Sequence, residues 1–189
     1  MPRCVTQEDS EGRCALFDAT QQLKLYIGIE GDDAEHLERA ALETGLQLKR
    51  TKRPATRGYL NLVREGMFNN PEEYTLTITK EGITINAGTA AGLFYGLQSL
   101  RQLVENNPDG EFATCEIKDY PRFEYRGILI DVSRHFRSVE FLKRQIDMMA
   151  RLKMNHLHLH LTDAAGWRME VESYPRLTSY AAWRTPATW

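Results

Sequence analysis

The chain has 189 residues, 42% of them hydrophobic and 26% charged, which places it among globular proteins and excludes a disordered polar chain. Its 24 basic and 26 acidic side chains leave a net charge of −2. That balance argues against nucleic acid or an anionic membrane as the main partner and is compatible with an uncharged substrate.

No apolar run is long enough to span a bilayer. The first residues, Met1 to Asp9, hold no apolar signal-peptide core, so the chain is either cytoplasmic or lacks its true N-terminus. Cys4, Cys14 and Cys115 are odd in number and irregular in spacing. They form neither a disulfide framework nor a zinc signature, read as unreactive thiols, and call for no cofactor.

In chain order, Leu23 to Ile29 alternates as a half-buried strand does. Asp32 or Asp33 opens a helix to about Thr44, with Ala34, Leu37, Ala40 and Ala41 on one face and Gly45 as a left-handed C-terminal cap. Tyr59 to Val63 reads as a second strand. Tyr74 to Thr79 and Ile83 to Asn86 read as a hairpin, with Gly82 supplying a positive φ in the turn. A long helix from about Thr89 to Glu105 carries the stripe Leu93, Leu97, Leu100 and Val104. Gly92 and Gly96 weaken that helix unless a neighbour packs closely against them. Phe112 to Ile117 is expected as one last strand. Residues 1–118 thus read as a small α+β domain.

The pattern changes at about residue 119. Tyr125 to Asp131 is an apolar strand without alternation, as when both faces are buried. Ser138 caps a helix lined by Leu142, Ile146, Met149 and Ala150, and Asn155 to Leu161 is the next strand. A strand–helix–strand unit implies parallel strands. Residues 119–189 therefore read as a parallel strand–helix–strand unit within an α/β protein. Tyr174 to Trp189 shows no usable period.

Two polar clusters follow the two strands: Asp131-Val132-Ser133-Arg134-His135, and His160-Leu161-Thr162-Asp163. Ligand groups gather at the C-terminal ends of parallel strands, so these are candidate site residues. The competing reading is a buried ion pair between Arg134 and an Asp that only ties loops together. His156, His158 and His160 share one strand face, which suits a divalent metal. Too few further ligands are available, and histidines packed in a barrel wall explain the run better. The late aromatics Trp167, Tyr174, Tyr180, Trp183 and Trp189 suit either sugar faces or a core.

Tyr120 to Phe136, Met148 to Asp163, Gly166-Trp167-Arg168 and Tyr174 to Thr178 resemble, in order, the opening of the catalytic barrel of family 20 glycoside hydrolases, the β-N-acetylhexosaminidases. Gly92 to Leu100 is similar to the helix of the small domain that precedes that barrel. The resemblance implies that Arg134 holds hydroxyls of a terminal N-acetylhexosamine, that Asp163 is a supporting carboxylate, and that His160, Asp131 and Trp167 lie around the site. Many relatives carry a second acid where this chain has Ala164. It also implies a retaining mechanism in which the substrate's own acetamido oxygen attacks the anomeric carbon, with an Asp-Glu pair orienting that group and donating the proton. No such pair stands in the barrel segment: Glu8-Asp9, Asp32-Asp33 and Glu72-Glu73 all lie in the first domain. The resemblance further implies that residues 119–189 are the start of a TIM (β/α)8 barrel, and a complete barrel takes about 250 residues. The chain is accordingly expected to be a fragment, inactive alone, without metal or membrane span. The alternatives are a metal-dependent barrel hydrolase and a non-catalytic carbohydrate-binding module.

Overall fold

A computed structural model of the chain describes residues 3–6, for their backbone, and residues 16–183. Cys14, Trp189 and the side chain of Cys4 lie outside what is described; Cys115 is buried. The backbone separates into two units, Met1–Arg122 and Phe123–Trp189.

In the first unit the strands are β1 (Arg3–Thr6), β2 (Leu16–Asp18), β3 (Leu23–Ile27), β4 (Leu48–Arg50), β5 (Tyr59–Val63), β6 (Tyr74–Ile78), β7 (Gly82–Ala87), β8 (Glu111–Ala113) and β9 (Cys115–Asp119). The helices are α1 (Asp32–Leu42) and α2 (Ala90–Asn106). Seven strands form one mixed sheet in the order β1-β9-β6-β7-β5-β3-β4. β7, β5, β3 and β4 run parallel, while β7–β6, β6–β9 and β9–β1 are antiparallel.

Alternation along the strands decides what is buried. Leu23, Leu25 and Ile27 of β3, Tyr74, Leu76 and Ile78 of β6, and Ile83, Ile85 and Ala87 of β7 all turn into one core. Leu93, Leu97 and Leu100 of α2 and Leu37, Ala40 and Ala41 of α1 meet them there, with Val104 partly buried at the margin. Each fully buried leucine contributes on the order of 2 kcal/mol.

Thr89 caps α2 by accepting the Gly92 N–H at 3.2 Å. The two glycines of α2 are close-packing sites, as their spacing implied. A Cβ on Gly92 would sit 2.6 Å from the Glu73 carbonyl oxygen, and one on Gly96 would sit 2.4 Å from Ile85 Cγ2. Gly45 has φ 88, which suits the left-handed turn after α1, whereas the entry to α1 has no side-chain cap and turns on Gly31 at φ 77.

Two expectations are corrected. Gly82 does not turn the hairpin with a positive φ. The Thr79 N–H and Oγ1 bond the Gly82 carbonyl there, and Gly82 is needed because a Cβ would lie 2.7 Å from the Tyr59 ring of the adjacent strand. The run Phe112 to Ile117 is also two strands rather than one. β8 pairs with β2 in a separate ribbon, and β9 joins the main sheet between β1 and β6. Thr114, which separates them, is buried.

The second unit holds β10 (Gly127–Asp131), α3 (Val139–Arg151), β11 (His156–His160), the ribbon β12 (Thr162–Asp163) with β13 (Gly166–Trp167), and the short helix α4 (Arg176–Ser179). β10 and β11 are parallel, in register from Gly127 opposite His156 to Asp131 opposite His160. Ser138 caps α3 by accepting the Phe141 N–H at 3.2 Å, and Glu140 lies in its first turn.

The starts of the two strands are locked together. Arg126 N–H donates to Asn155 Oδ1 at 3.0 Å, and Arg126 Nε donates to the Lys153 carbonyl at 2.7 Å. Lys153 adopts the left-handed conformation, φ 56, that lets α3 end and β11 begin within a few residues. The expectation that β10 is buried on both faces is not met. Leu129 is 58% exposed, because among the described residues β10 and β11 pair only with each other.

Candidate functional site

The strand register sets the site. Side chains on adjacent parallel strands that oppose each other share a face, so Asp131, the last residue of β10, and His160, the last of β11, emerge on the same side. The chain then turns at once. Asp131 Oδ1 accepts the Ser133 N–H at 3.0 Å and the Arg134 N–H at 2.9 Å, an Asx turn that carries Arg134 back over its own carboxylate. Arg134 Nη1 reaches Asp131 Oδ2 at 2.5 Å, and Nη2 reaches Asp163 Oδ2 at 2.7 Å. His160 Nε2 lies 3.2 Å from that same Asp163 oxygen, and Asp163 Oδ1 accepts the Ala164 N–H at 2.6 Å.

Four of the five residues selected from the sequence thus form one cluster: Arg134, Asp131, Asp163 and His160. The Arg134–Asp163 contact is not a buried tie. The arginine side chain is 52% exposed, so the pair faces solvent. Trp167 is placed differently. Its Nε1 donates to the Met169 carbonyl at 2.6 Å, and its ring lines a groove of about 690 Å³ with His135, Phe136, Thr178 and Trp183 among its other walls.

Electrostatics follow from these contacts. The Asp131 carboxyl is held down at about 2, first by the Arg134 backbone N–H and then by its guanidinium. Asp163 is lowered by the Ala164 N–H, by His160 and by Arg134. Arg134 is raised by the two carboxylates. Both acids are therefore ionised near neutrality and serve as acceptors.

The histidine run does not converge. His156 stacks on Tyr125 with ring centroids 4.3 Å apart and bonds Asn155, at the opposite end of β11 from His160. Among the described residues no group of three His, Cys, Asp or Glu side chains could hold a metal ion.

Residues without an assigned role in the sequence reading support the cluster from behind. Ser133 is fully buried, and its Oγ donates to the Gly166 carbonyl at 2.6 Å. Arg168 Nε donates to the Val132 carbonyl at 3.0 Å, and Nη2 reaches the Ser133 carbonyl at 3.4 Å. Its Nη1 donates to the Ala182 carbonyl, and its guanidinium lies over the Phe136 ring. Both sit inside the recognised motifs, but nothing in the pattern of types distinguishes a buried clamp from a ligand-facing arginine.

Comparison with known proteins covers nearly the whole chain. Residues 1–120 match the family model described as glycosyl hydrolase family 20, domain 2, and residues 123–188 match the catalytic domain of the same family. A β-hexosaminidase of Porphyromonas gingivalis is 38% identical over 98% of this chain, which spans 25% of that relative's length. The solved exo-β-N-acetylglucosaminidase of Vibrio harveyi, in complex with N-acetylglucosamine, is 31% identical. It superimposes with a TM-score of 0.78 over 97% of this chain and 28% of its own. The β-hexosaminidase of Streptomyces plicatus is 35% identical with a TM-score of 0.75, over 88% of this chain and 36% of its own. No helix among the described residues is long and apolar enough to cross a membrane.

Proposed function

Since the chain belongs to glycosyl hydrolase family 20, its second unit being the opening strand–helix–strand of the catalytic barrel, we propose that the Arg134 cluster takes the terminal sugar of a β-N-acetylhexosaminide. The first unit, up to about residue 118, is then the small domain that precedes the barrel. The observation that carries the reading is the placement of one half-exposed guanidinium across the C-terminal ends of two parallel barrel strands, pinned by a carboxylate from each side.

A guanidinium presents five N–H donors in a planar fork, which suits two neighbouring hydroxyls of a pyranose. Asp131 and Asp163, both ionised, fix the plane of that fork and accept hydroxyl protons at its edges. His160 braces Asp163. The whole protein's activity is then hydrolysis of a terminal N-acetylglucosamine or N-acetylgalactosamine, with the substrate's acetamido oxygen as nucleophile. An Asp-Glu pair would orient that group and protonate the leaving oxygen. Neither Asp131 nor Asp163 suits the acid's part, because both are held below the ordinary carboxylate range.

The test is titration of N-acetylglucosamine against the chain, followed by NMR. Shifts at Arg134, Asp131 and Asp163 that vanish in Arg134→Ala are expected. Binding that survives Arg134→Ala unchanged, or no binding at all, would remove the assignment.

A further inference from the structure

Arg134 and Asp163 face each other as one side of a closed ring of four residues. Arg134 follows Ser133 in the chain. Ser133 Oγ, fully buried, donates to the Gly166 carbonyl at 2.6 Å. Gly166 stands directly opposite Asp163 in the β12–β13 ribbon. Asp163 returns to Arg134 at 2.7 Å.

Three sides of this ring are therefore rigid: a peptide link, a buried hydrogen bond and a strand pair. The fourth is the solvent-facing ion pair.

Arg168 braces the ring from outside. Its side chain holds the carbonyls of Val132 and Ser133, and its own backbone N–H donates to the Leu161 carbonyl at 2.9 Å. It thereby joins the loop after β10 to the loop after β11. Gly166 has no room for a side chain, since a Cβ would lie 2.7 Å from Arg168 Nη2 and 3.0 Å from the Ser133 carbonyl oxygen.

We propose that Ser133, Gly166 and Arg168 are positioning residues that set the spacing between the Arg134 guanidinium and the Asp163 carboxylate. None of the three reaches the exposed side of the cluster by any of these contacts; they act through the pair. The inference rests on the sugar-binding reading for its purpose but not for its geometry. Exposed ion pairs hold themselves weakly, so a site that must present one fixed fork to a ligand needs such a frame.

The experiment is carbon-detected NMR titration of the side-chain carboxyls in the 189-residue chain, in parent and Ser133→Ala. The substitution deletes the ring's buried hydrogen bond and touches neither Arg134 nor Asp163. The Asp163 titration is expected to move up as Arg134 drifts off, by the part of its lowering that the Arg134 charge supplies beyond the Ala164 N–H and His160. Asp131, held by its own Asx turn, should titrate as in the parent. A residue that is merely structural would lower the melting temperature and leave the Asp163 titration in place, and that result overturns the proposal. Should Ser133→Ala unfold the second unit, Arg168→Lys decides. It keeps the charge but loses the fork that spans the Val132 and Ser133 carbonyls, and the same upward movement of Asp163 is expected. An unmoved Asp163 in folded Arg168→Lys would equally overturn it.

Because the titration needs no sugar, it stands even if N-acetylglucosamine fails to bind. Where the parent does bind, Ser133→Ala should weaken the affinity by about 3- to 10-fold, the scale of one ordinary hydrogen bond.

Discussion

Arg134 Nη2 lies 2.7 Å from Asp163 Oδ2 while Nη1 lies 2.5 Å from Asp131 Oδ2, so a single guanidinium bridges carboxylates that follow two different strands. Lysine has one compact ammonium and no fork. In Arg134→Lys we therefore expect one of the two carboxylates to lose its contact with the side chain at 134 and N-acetylglucosamine affinity to fall by about tenfold or more, the worth of a hydrogen bond to a charged group. Calorimetric or NMR titration of both proteins reads this. Equal affinities would mean that charge alone, without the fork, is what the site uses.

The same contacts give a pH dependence. Asp131 titrates at about 2 in the folded chain against an ordinary 3.8. A carboxyl depressed on folding stabilises the fold fully above its unfolded value and loses that stabilisation as pH falls through its folded value. Asp163 is lowered in the same direction. The second unit should accordingly lose stability between about pH 4 and about pH 2, while Arg134→Ala should show a flatter profile over that window. Thermal melts followed by resonances of β10 and β11 across that range check it.

Much of this arrangement was legible in the residues, for identifiable reasons. An apolar stripe at steps of four, three and four, Leu93 to Val104, gave α2. Ser138 gave the start of α3, and polar runs straight after apolar ones gave Arg134 and Asp163. Three things were not legible. The role of Gly82 depends on the Tyr59 ring, which approaches from a strand far earlier in the chain, and local turn signals carry no trace of it. The break between β8 and β9 falls at Thr114, itself a good strand residue, and is set by which partner each half finds. The clamp through Ser133 and Arg168 works by buried bonds to carbonyls, and every sequence has carbonyls.

Gly96 offers a test of the first unit. Alanine there would gain about 1 kcal/mol of helix propensity over glycine. Its Cβ would, however, sit 2.4 Å from Ile85 Cγ2 and 3.2 Å from the Tyr74 ring, in a core where Ile85 and Tyr74 are buried. Overpacking of this kind costs about 1–3 kcal/mol. Gly96→Ala should therefore lower the melting temperature of the first unit, whereas an exposed alanine substitution would raise it. Chemical denaturation of the two proteins measures the sign directly.

Tyr74 gives a second, independent test of that core. Its hydroxyl lies 2.6 Å from Ser99 Oγ and donates to Asp119 Oδ2 at 3.0 Å, and burial pushes its pKa well up. Tyr74→Phe keeps the ring and removes both of these hydrogen bonds, one of them to the buried Ser99. A loss of about 1–3 kcal/mol is expected from the two hydrogen bonds together. Chemical denaturation of the two proteins measures it, and an unchanged midpoint would mean that the buried ring alone accounts for what Tyr74 contributes.

The last expectation separates binding from chemistry. Protonating a glycosidic oxygen near neutrality needs a carboxyl raised towards that pH. The two carboxylates of the cluster are moved the other way, Asp131 to about 2 and Asp163 also downward, because each faces N–H donors and the Arg134 charge. No adjacent Asp-Glu pair occurs after residue 119 to take the acid's part. The 189-residue chain should therefore bind N-acetylglucosamine without turning over an aryl N-acetylglucosaminide near neutrality, which an assay with a chromogenic leaving group reads. Turnover by the pure chain, abolished in Asp163→Asn but not in Ser133→Ala, would show instead that the cluster itself does acid–base work.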